Sequence, residues 1–414
     1  MVSRIVAIGV IFVGVSIAWM ILSATVFYRT YDQDTELKKE VASLWGSEQT
    51  QKAPKAAYFV TERVMEEEGY GKNKTVRSVE KKIEKEIPLM SSDIQVGLEL
   101  EHRQKGLLWY ATYRVAYRGA YRFTNTLAKP VEAHLFFEFP VYNAVYDDFI
   151  LGLEKGVWKI PPGKSDGEGN KMEGVVALGP GQSVILNAGY KSQGMDQWRY
   201  DFGEGISTVR DFSLVLNTDY DDINFPANTV SATEKNKTDK GWELAWRYKN
   251  LLTGSSLGME MAQKLQPGPL AGRISLFAPV SLFFFILVLL VVGITQGISL
   301  HPMHFFFLSG AFFAFHLLVA YLADQVSIHL AFAISSLVSV FLVATYLRRV
   351  VSDSFVTRFA GPAQLVYLVA FSYAFFFKGI TGLSITIGAI TTLYVLMQLT
   401  AKTNWATVFT AKKE

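Results

Sequence analysis

Four of the six histidines in this 414-residue chain fall in its apolar C-terminal third, and histidine is the side chain best suited to bind a metal or carry a proton near neutral pH. His316 lies inside an apolar run, Asp324 and His329 flank the turn that follows it, and His301 and His304 belong to the preceding SLHPMH stretch. Ionisable groups at membrane depth are costly, which makes all five candidate functional positions. His316 with His329 could serve as a haem-ligating pair on neighbouring helices. His316 with Asp324 could form part of a proton or solute path. The competing reading is structural: a lone histidine in a bundle hydrogen-bonds the next helix, and residues near the headgroups are wet.

No other residues assemble a reaction centre. Gly254-Ser255-Ser256-Leu257-Gly258 matches the G-x-S-x-G nucleophile elbow in letters, but every later histidine lies in or beside the apolar runs, and the strand-to-helix context is missing. The acidic groups Asp147-Asp148 and Asp219, Asp221, Asp222 with Asn224 lack EF-hand spacing and read as exposed turn carboxylates. There is no H-E-x-x-H and no phosphate loop. Cysteine is absent, which excludes disulfides, thiolate metal sites and a cysteine nucleophile. The expectation is a chain with no catalytic residue, no metal site and no cofactor, and at a net charge of +3 nothing suggests a nucleic-acid partner.

The elements that carry these residues are membrane spans. Half of the residues are hydrophobic and mean hydropathy is +0.21, concentrated at the start and over the last third. Ile5 to Phe27 is long enough to cross about 30 Å of hydrocarbon and too long for the apolar core of a cleaved signal peptide. Further spans are expected at 276–294, 305–322, 328–347, 359–377 and 380–399, the last two joined by Lys378-Gly379 as a tight hairpin. Arg4, Arg348, Arg349, Arg358, Lys402, Lys412 and Lys413 oppose a single Lys378 across the membrane, which places both termini in the cytoplasm. The predicted organisation is an N-terminal transmembrane helix (1–28), an extracytoplasmic or periplasmic β-rich domain (29–273), a five-helix bundle (274–400) and a cytoplasmic tail (401–414). The lipid bilayer is the implied partner.

Within the outer region, residues 34–50 are helix-prone and extend the first span as a charged stalk, while 76–88 is a polar segment, helical or at a strand edge. From Trp109 to Phe123 apolar residues occupy the odd positions and Arg114, Arg118 and Arg122 the even ones, the period of a half-buried strand. Shorter strands are expected at 133–141, 148–155, 183–192, 211–218 and 241–249, with Gly179-Pro180-Gly181 as a turn and 161–174 as a surface loop. The fold class is α+β: six transmembrane helices and a large β-rich, sandwich-like antiparallel domain. Asn73 and Asn236 begin chance sequons. In the bundle, Ala331, Ser335 and Ser339 recur every four residues, and Gly293 with Gly297 forms G-x-x-x-G, both read as close-packing positions. Gly361-Pro362 suits the first turn of the fifth span.

This order of elements, with the stretch SLHPMHFFFLSGAFFAFHLLVAYLADQVSIHLAFAISSLVSVFLVATYL (299–347), GWELAWRYKNLL ahead of the second span and LTAKTNWATVF (399–409), resembles the CreD family of bacterial inner-membrane proteins, also called cell-envelope integrity proteins. The resemblance implies an inner-membrane protein tied to envelope stress, β-lactam response and colicin tolerance, in some species under a two-component regulator. It implies no catalytic residue, and His301, Pro302 and Met303 match its motif without an assigned role. The expected function is therefore non-enzymatic, with the periplasmic domain binding an envelope partner or ligand. The alternative is a transporter or conduit that uses His316 and Asp324.

Overall fold

The computed structural model describes residues 2–68, 75–106, 108–153, 157–159, 171–203, 207–377 and 379–401. Asn73, most of the 161–174 loop, Lys378, Lys402, Lys412, Lys413 and the end of the chain lie outside the described residues. The protein is α+β and divides into two units. One is helical (Met1–Leu37, Gln104–Trp109 and Leu265–Glu414), the other β-rich (Lys38–Arg103 and Tyr110–Lys264).

Six helices among the described residues are long and apolar enough to cross a membrane. They are α1 (Val2–Trp45), α2 (Pro267–Thr295), α3 (Pro302–Leu322), α4 (Ile328–Val350), α5 (Asp353–Phe376) and α6 (Thr381–Thr400). α1 runs through the expected stalk because no Gly or Pro interrupts its charged part. It stops at Gly46, whose φ of +101° is the left-handed conformation that ends helices.

α2 begins nine residues before the expected Leu276. Its first turns, Pro267-Gly268-Pro269, are too polar and small to register as apolar, yet they take α1 against them. A Cβ on Gly268 would lie 2.5 Å from Thr30 Oγ1, one on Gly272 would lie 3.0 Å from the Phe27 ring, and Ser23 Oγ donates to Gly272 O at 2.9 Å. This is a G-x-x-x-G approach of two helix backbones.

α5 also starts early, at Asp353, capped by Ser352 Oγ accepting from Phe355 N at 3.2 Å, because Asp353 and Arg358 mask its first turns in hydropathy. Gly361-Pro362 is consequently interior rather than in the first turn. Proline has no N–H for the ordinary i−4 bond, and the helix answers by widening: Val356–Ala360 and Leu365–Ala370 wind as π-helix, with Gly361 N donating five residues back to Val356 O.

The strands in chain order are β1 (Gln49–Lys52), β2 (Lys55–Glu68), β3 (Thr75–Glu86), β4 (Leu89–Lys105), β5 (Leu108–Thr124), β6 (Val131–Glu138), β7 (Asp147–Leu153) and β8 (Val157–Lys159). They continue with β9 (Lys171–Leu178), β10 (Ser183–Met195), β11 (Gln197–Asp201), β12 (Ser207–Thr218), β13 (Glu234–Lys237), β14 (Trp242–Thr253) and β15 (Leu257–Glu260). They form a seven-stranded sheet ordered β13-β14-β12-β4-β5-β10-β7, a five-stranded sheet β3-β2-β6-β9-β8, and a three-stranded sheet β1-β11-β15. Pairing is mixed, with β12 parallel to β4 and β1 parallel to β11.

β5 follows the alternation in its sequence: Tyr113, Val115, Tyr117, Tyr121 and Phe123 are buried while Arg114, Arg118 and Arg122 are exposed. They join Ile94, Leu135, Phe137, Leu186, Trp198, Leu214 and Trp246 in one core. The polar 76–88 segment is mostly β3, paired with β2 from Ala57↔Glu86 to Glu68↔Thr75. Its closely spaced opposite charges look helical in one dimension. In space they pair across strands, Lys85 with Glu62 at 2.6 Å and Arg63 with Glu80 at 3.4 Å.

Candidate functional site

The SLHPMH stretch is the start of α3. His301 is its N-cap, with Nδ1 accepting from Met303 N at 3.2 Å, and Pro302 fills the first turn. His304 Nδ1 lies 2.8 Å from Tyr346 Oη of α4, and Arg4 of α1 donates to Ser299 Oγ at 2.9 Å and to Leu300 O. The motif therefore ties three helices together at one end.

His316 is buried against Trp19, with ring centroids 5.3 Å apart, and its Nδ1 lies 2.8 Å from Phe312 O on its own helix. That bond puts the proton on Nδ1 and leaves Nε2 as an acceptor without a partner. His329 sits elsewhere, 5.0 Å from the Phe376 ring and 6.4 Å from that of Tyr373. Asp324 lies in the turn between α3 and α4 with Oδ1 buried and unpartnered. Among the described residues, no group of three or more His, Asp or Glu side chains is placed to hold a metal ion.

The small-residue positions divide. Ala331, Ser335 and Ser339 are fully buried, and Ser339 Oγ donates across to Ala311 O of α3 at 2.7 Å. It also accepts from Gln364 Nε2 at 3.1 Å. Gln364 is itself fully buried, and its Oε1 has no partner. Sequence reading passes over this glutamine because its neighbours include Gly361 and Pro362, which read as a helix start. Gly297 has φ +67° and terminates α2, with Ile298 N donating back to Gly293 O at 2.8 Å, so this pair shapes a helix end.

In the β-rich unit, the acidic groups are spent on turns and ion pairs. Asp148 lies 2.5 Å from Lys191, which holds its carboxyl below the usual carboxylate range. Asp221 pairs with Lys237, and Asp219 Oδ1 accepts from Leu100 N at 2.8 Å. Ser255 and Ser256 occupy the connection between β14 and β15, two strands, which removes the elbow geometry.

A cleft of about 680 Å³ opens where the ends of β3 and β11 meet the starts of β2, β4 and β12. Half-buried Phe202 presents aromatic surface to it, standing 5.5 Å from Tyr200 and 5.1 Å from Phe212, which with Phe123 lie buried beneath. Its rim carries both signs of charge, Lys55 and Arg210 with Glu84 and Glu86, all exposed. A smaller cavity of about 160 Å³ shares Lys55 and Gly203 with it and adds Lys52, Glu138 and Lys171. A concavity that combines apolar surface with convergent polar groups can take a ligand. No sequence pattern announces this cleft, since it draws on six strands far apart in the chain.

Residues 224–406 match the family model described as inner membrane protein CreD. This stretch is similar to the CreD family. The CreD match takes in β13 to β15 and α2 to α6, and so includes the SLHPMH start of α3, His316 and Gln364; α1 and the strands that line the cleft precede it. No curated protein matches the sequence. Among solved structures, a Legionella pneumophila protein with a provisional description as nutrient binding is similar at 11% identity over 48% of this chain and 74% of its own, with a TM-score of 0.30. At that score the likeness carries nothing over to this chain.

Proposed function

We propose that this chain is a non-enzymatic inner-membrane protein of envelope integrity and stress response, and that its β-rich unit faces the periplasm and binds an envelope ligand or protein partner. The observation that carries the reading is the cleft, which offers half-buried Phe202 for apolar contact and cations and carboxylates at the rim for orientation. The CreD match supports the inner membrane as the site of action. Orientation rests on Arg4, Arg348, Arg349 and Arg358 at the ends of the spans.

The test is complementation of a deletion strain, scored for β-lactam and detergent sensitivity at matched membrane levels. Lys55→Glu combined with Arg210→Glu inverts half the rim without touching the core and is expected to abolish rescue. Rescue by this double variant would refute the cleft as the working surface.

A second reading, a conduit through the helices, has one specific observation in its favour: His316 Nε2, Ser309 Oγ and Gln364 Oε1 are buried without partners. It predicts that His316→Leu or Gln364→Leu fails to rescue, whereas the cleft reading expects both to rescue.

A further inference from the structure

Arg4 is held in place yet only partly used. Nη1 donates to Ser299 Oγ at 2.9 Å and Nη2 to Leu300 O, which fixes the guanidinium beside the start of α3. Both acceptors are neutral. A guanidinium has five N–H donors, and among the described residues no carboxylate forms an ion pair with Arg4.

A groove of about 550 Å³ runs from this point along α1. Arg4 and His301 stand at its polar end, and Ala7, Val10, Ile11 and Met303 form its wall. Val10 is 68% exposed and Met303 48%, so the wall is apolar surface without a protein cover. His301 Nδ1 accepts from Met303 N, so its neutral ring carries the proton on Nε2 as a second donor. The groove also opens at the N-terminus of the 21-residue α3, whose dipole favours an anion. Ile11 is two helical turns from Arg4, roughly 10 Å at 1.5 Å per residue, so the cationic end sits at headgroup level and the wall descends into the hydrocarbon.

We propose that this groove is a binding site for one anionic phospholipid, its phosphodiester against Arg4 and His301 and the start of an acyl chain along Ala7, Val10 and Ile11. Charge complementarity and the graded polarity select the lipid as occupant: a free anion would leave the apolar wall bare. The inference rests on the membrane reading of the helices and is independent of the cleft.

The experiment uses the full chain in nanodiscs of phosphatidylcholine with and without phosphatidylglycerol, with retained lipid weighed by native mass spectrometry. Wild type is expected to retain phosphatidylglycerol about fivefold over phosphatidylcholine, the effect of one cation beside an anionic headgroup. Arg4→Gln should bring the ratio to about one. Val10→Trp fills the groove, leaves both Arg4 bonds in place, and should expel the lipid. Arg349→Gln, in the last turn of α4, should retain the wild-type ratio. The proposal is overturned by a wild type without preference, by equal losses in Arg4→Gln and Arg349→Gln, by lipid retained in Val10→Trp, or by displacement with inorganic phosphate alone.

Discussion

The two units put their buried polar side chains to different uses. In the β-rich unit, buried hydroxyls reach other side chains or distant strands: Tyr190 Oη donates to Gln51 Oε1 at 2.9 Å, Tyr113 Oη to Gln197 O at 2.9 Å, and Tyr117 meets Tyr121. In the helical unit several go to backbone carbonyls, while Ser275 and Ser309 Oγ have no partner. Ser335 and Ser336 bond the preceding turn of their own helix, while Ser23, Ser281 and Ser339 cross to Gly272, Tyr367 and Ala311. Apolar burial drives the packing of a water-facing core, but it does little between helices surrounded by lipid, where close backbone approach and cross-helix bonds take over. The same serine or tyrosine thus supports a core in one unit and selects a helix partner in the other.

The contrast is sharpest where burial supplies most of the stability. Trp246 is fully buried in the β-rich core, with Nε1–H donating to Val230 O at 2.8 Å. Trp246→Ala should cost about 3–5 kcal/mol, read from denaturant unfolding of the full chain followed by β-sheet circular dichroism. In the helical unit the corresponding lever is a glycine. Gly272→Leu drives a side chain into the Phe27 ring and should cost about 1–3 kcal/mol. It should also separate α1 from α2, measured as lost cross-linking between residues introduced near 23 and 272.

Next in size is a matched pair on α4. Ser339→Ala removes a cross-helix bond and a partner of buried Gln364, and should lower stability by about 1–2 kcal/mol. Ser335→Ala removes only a bond within its own turn and should change the same melting curve by a few tenths of that. Equal effects would erase the distinction between specifying and merely satisfied hydroxyls.

The smallest predicted effect is alkaline. Burial pushes the Tyr146 hydroxyl up to about 12, and Tyr117, Tyr121 and Tyr190 are also raised by burial. A raised phenol favours the folded state while neutral. That contribution is complete below the unfolded value of about 10 and is lost as pH climbs through the folded one. Phenolate absorbance should therefore lag behind free tyrosine until the β-rich unit opens, and Tyr146→Phe should shift the alkaline midpoint upward slightly.

The spans were legible because twenty apolar residues in a row have few other fates, and β5 because alternation survives in its Arg positions. What escaped were elements defined by partners. The start of α2 at Pro267 has low hydropathy yet docks α1 through Gly268 and Gly272. β3 carries charge on both faces and is a strand because β2 lies beside it. Gln364 gains its importance from Ser339, 25 residues away, and the π-helical turns follow from Pro362 being inside a helix that begins earlier than hydropathy shows. The cleft is assembled from strands that no local pattern links.

Absence of cysteine permits a clean test of whether the β-rich unit and its cleft open to the outside. Thr208→Cys places one exposed thiol in the cleft lining, to be probed with a membrane-impermeant maleimide in spheroplasts. Full labelling before lysis is the predicted result; labelling only after lysis would put the cleft in the cytoplasm and contradict the account.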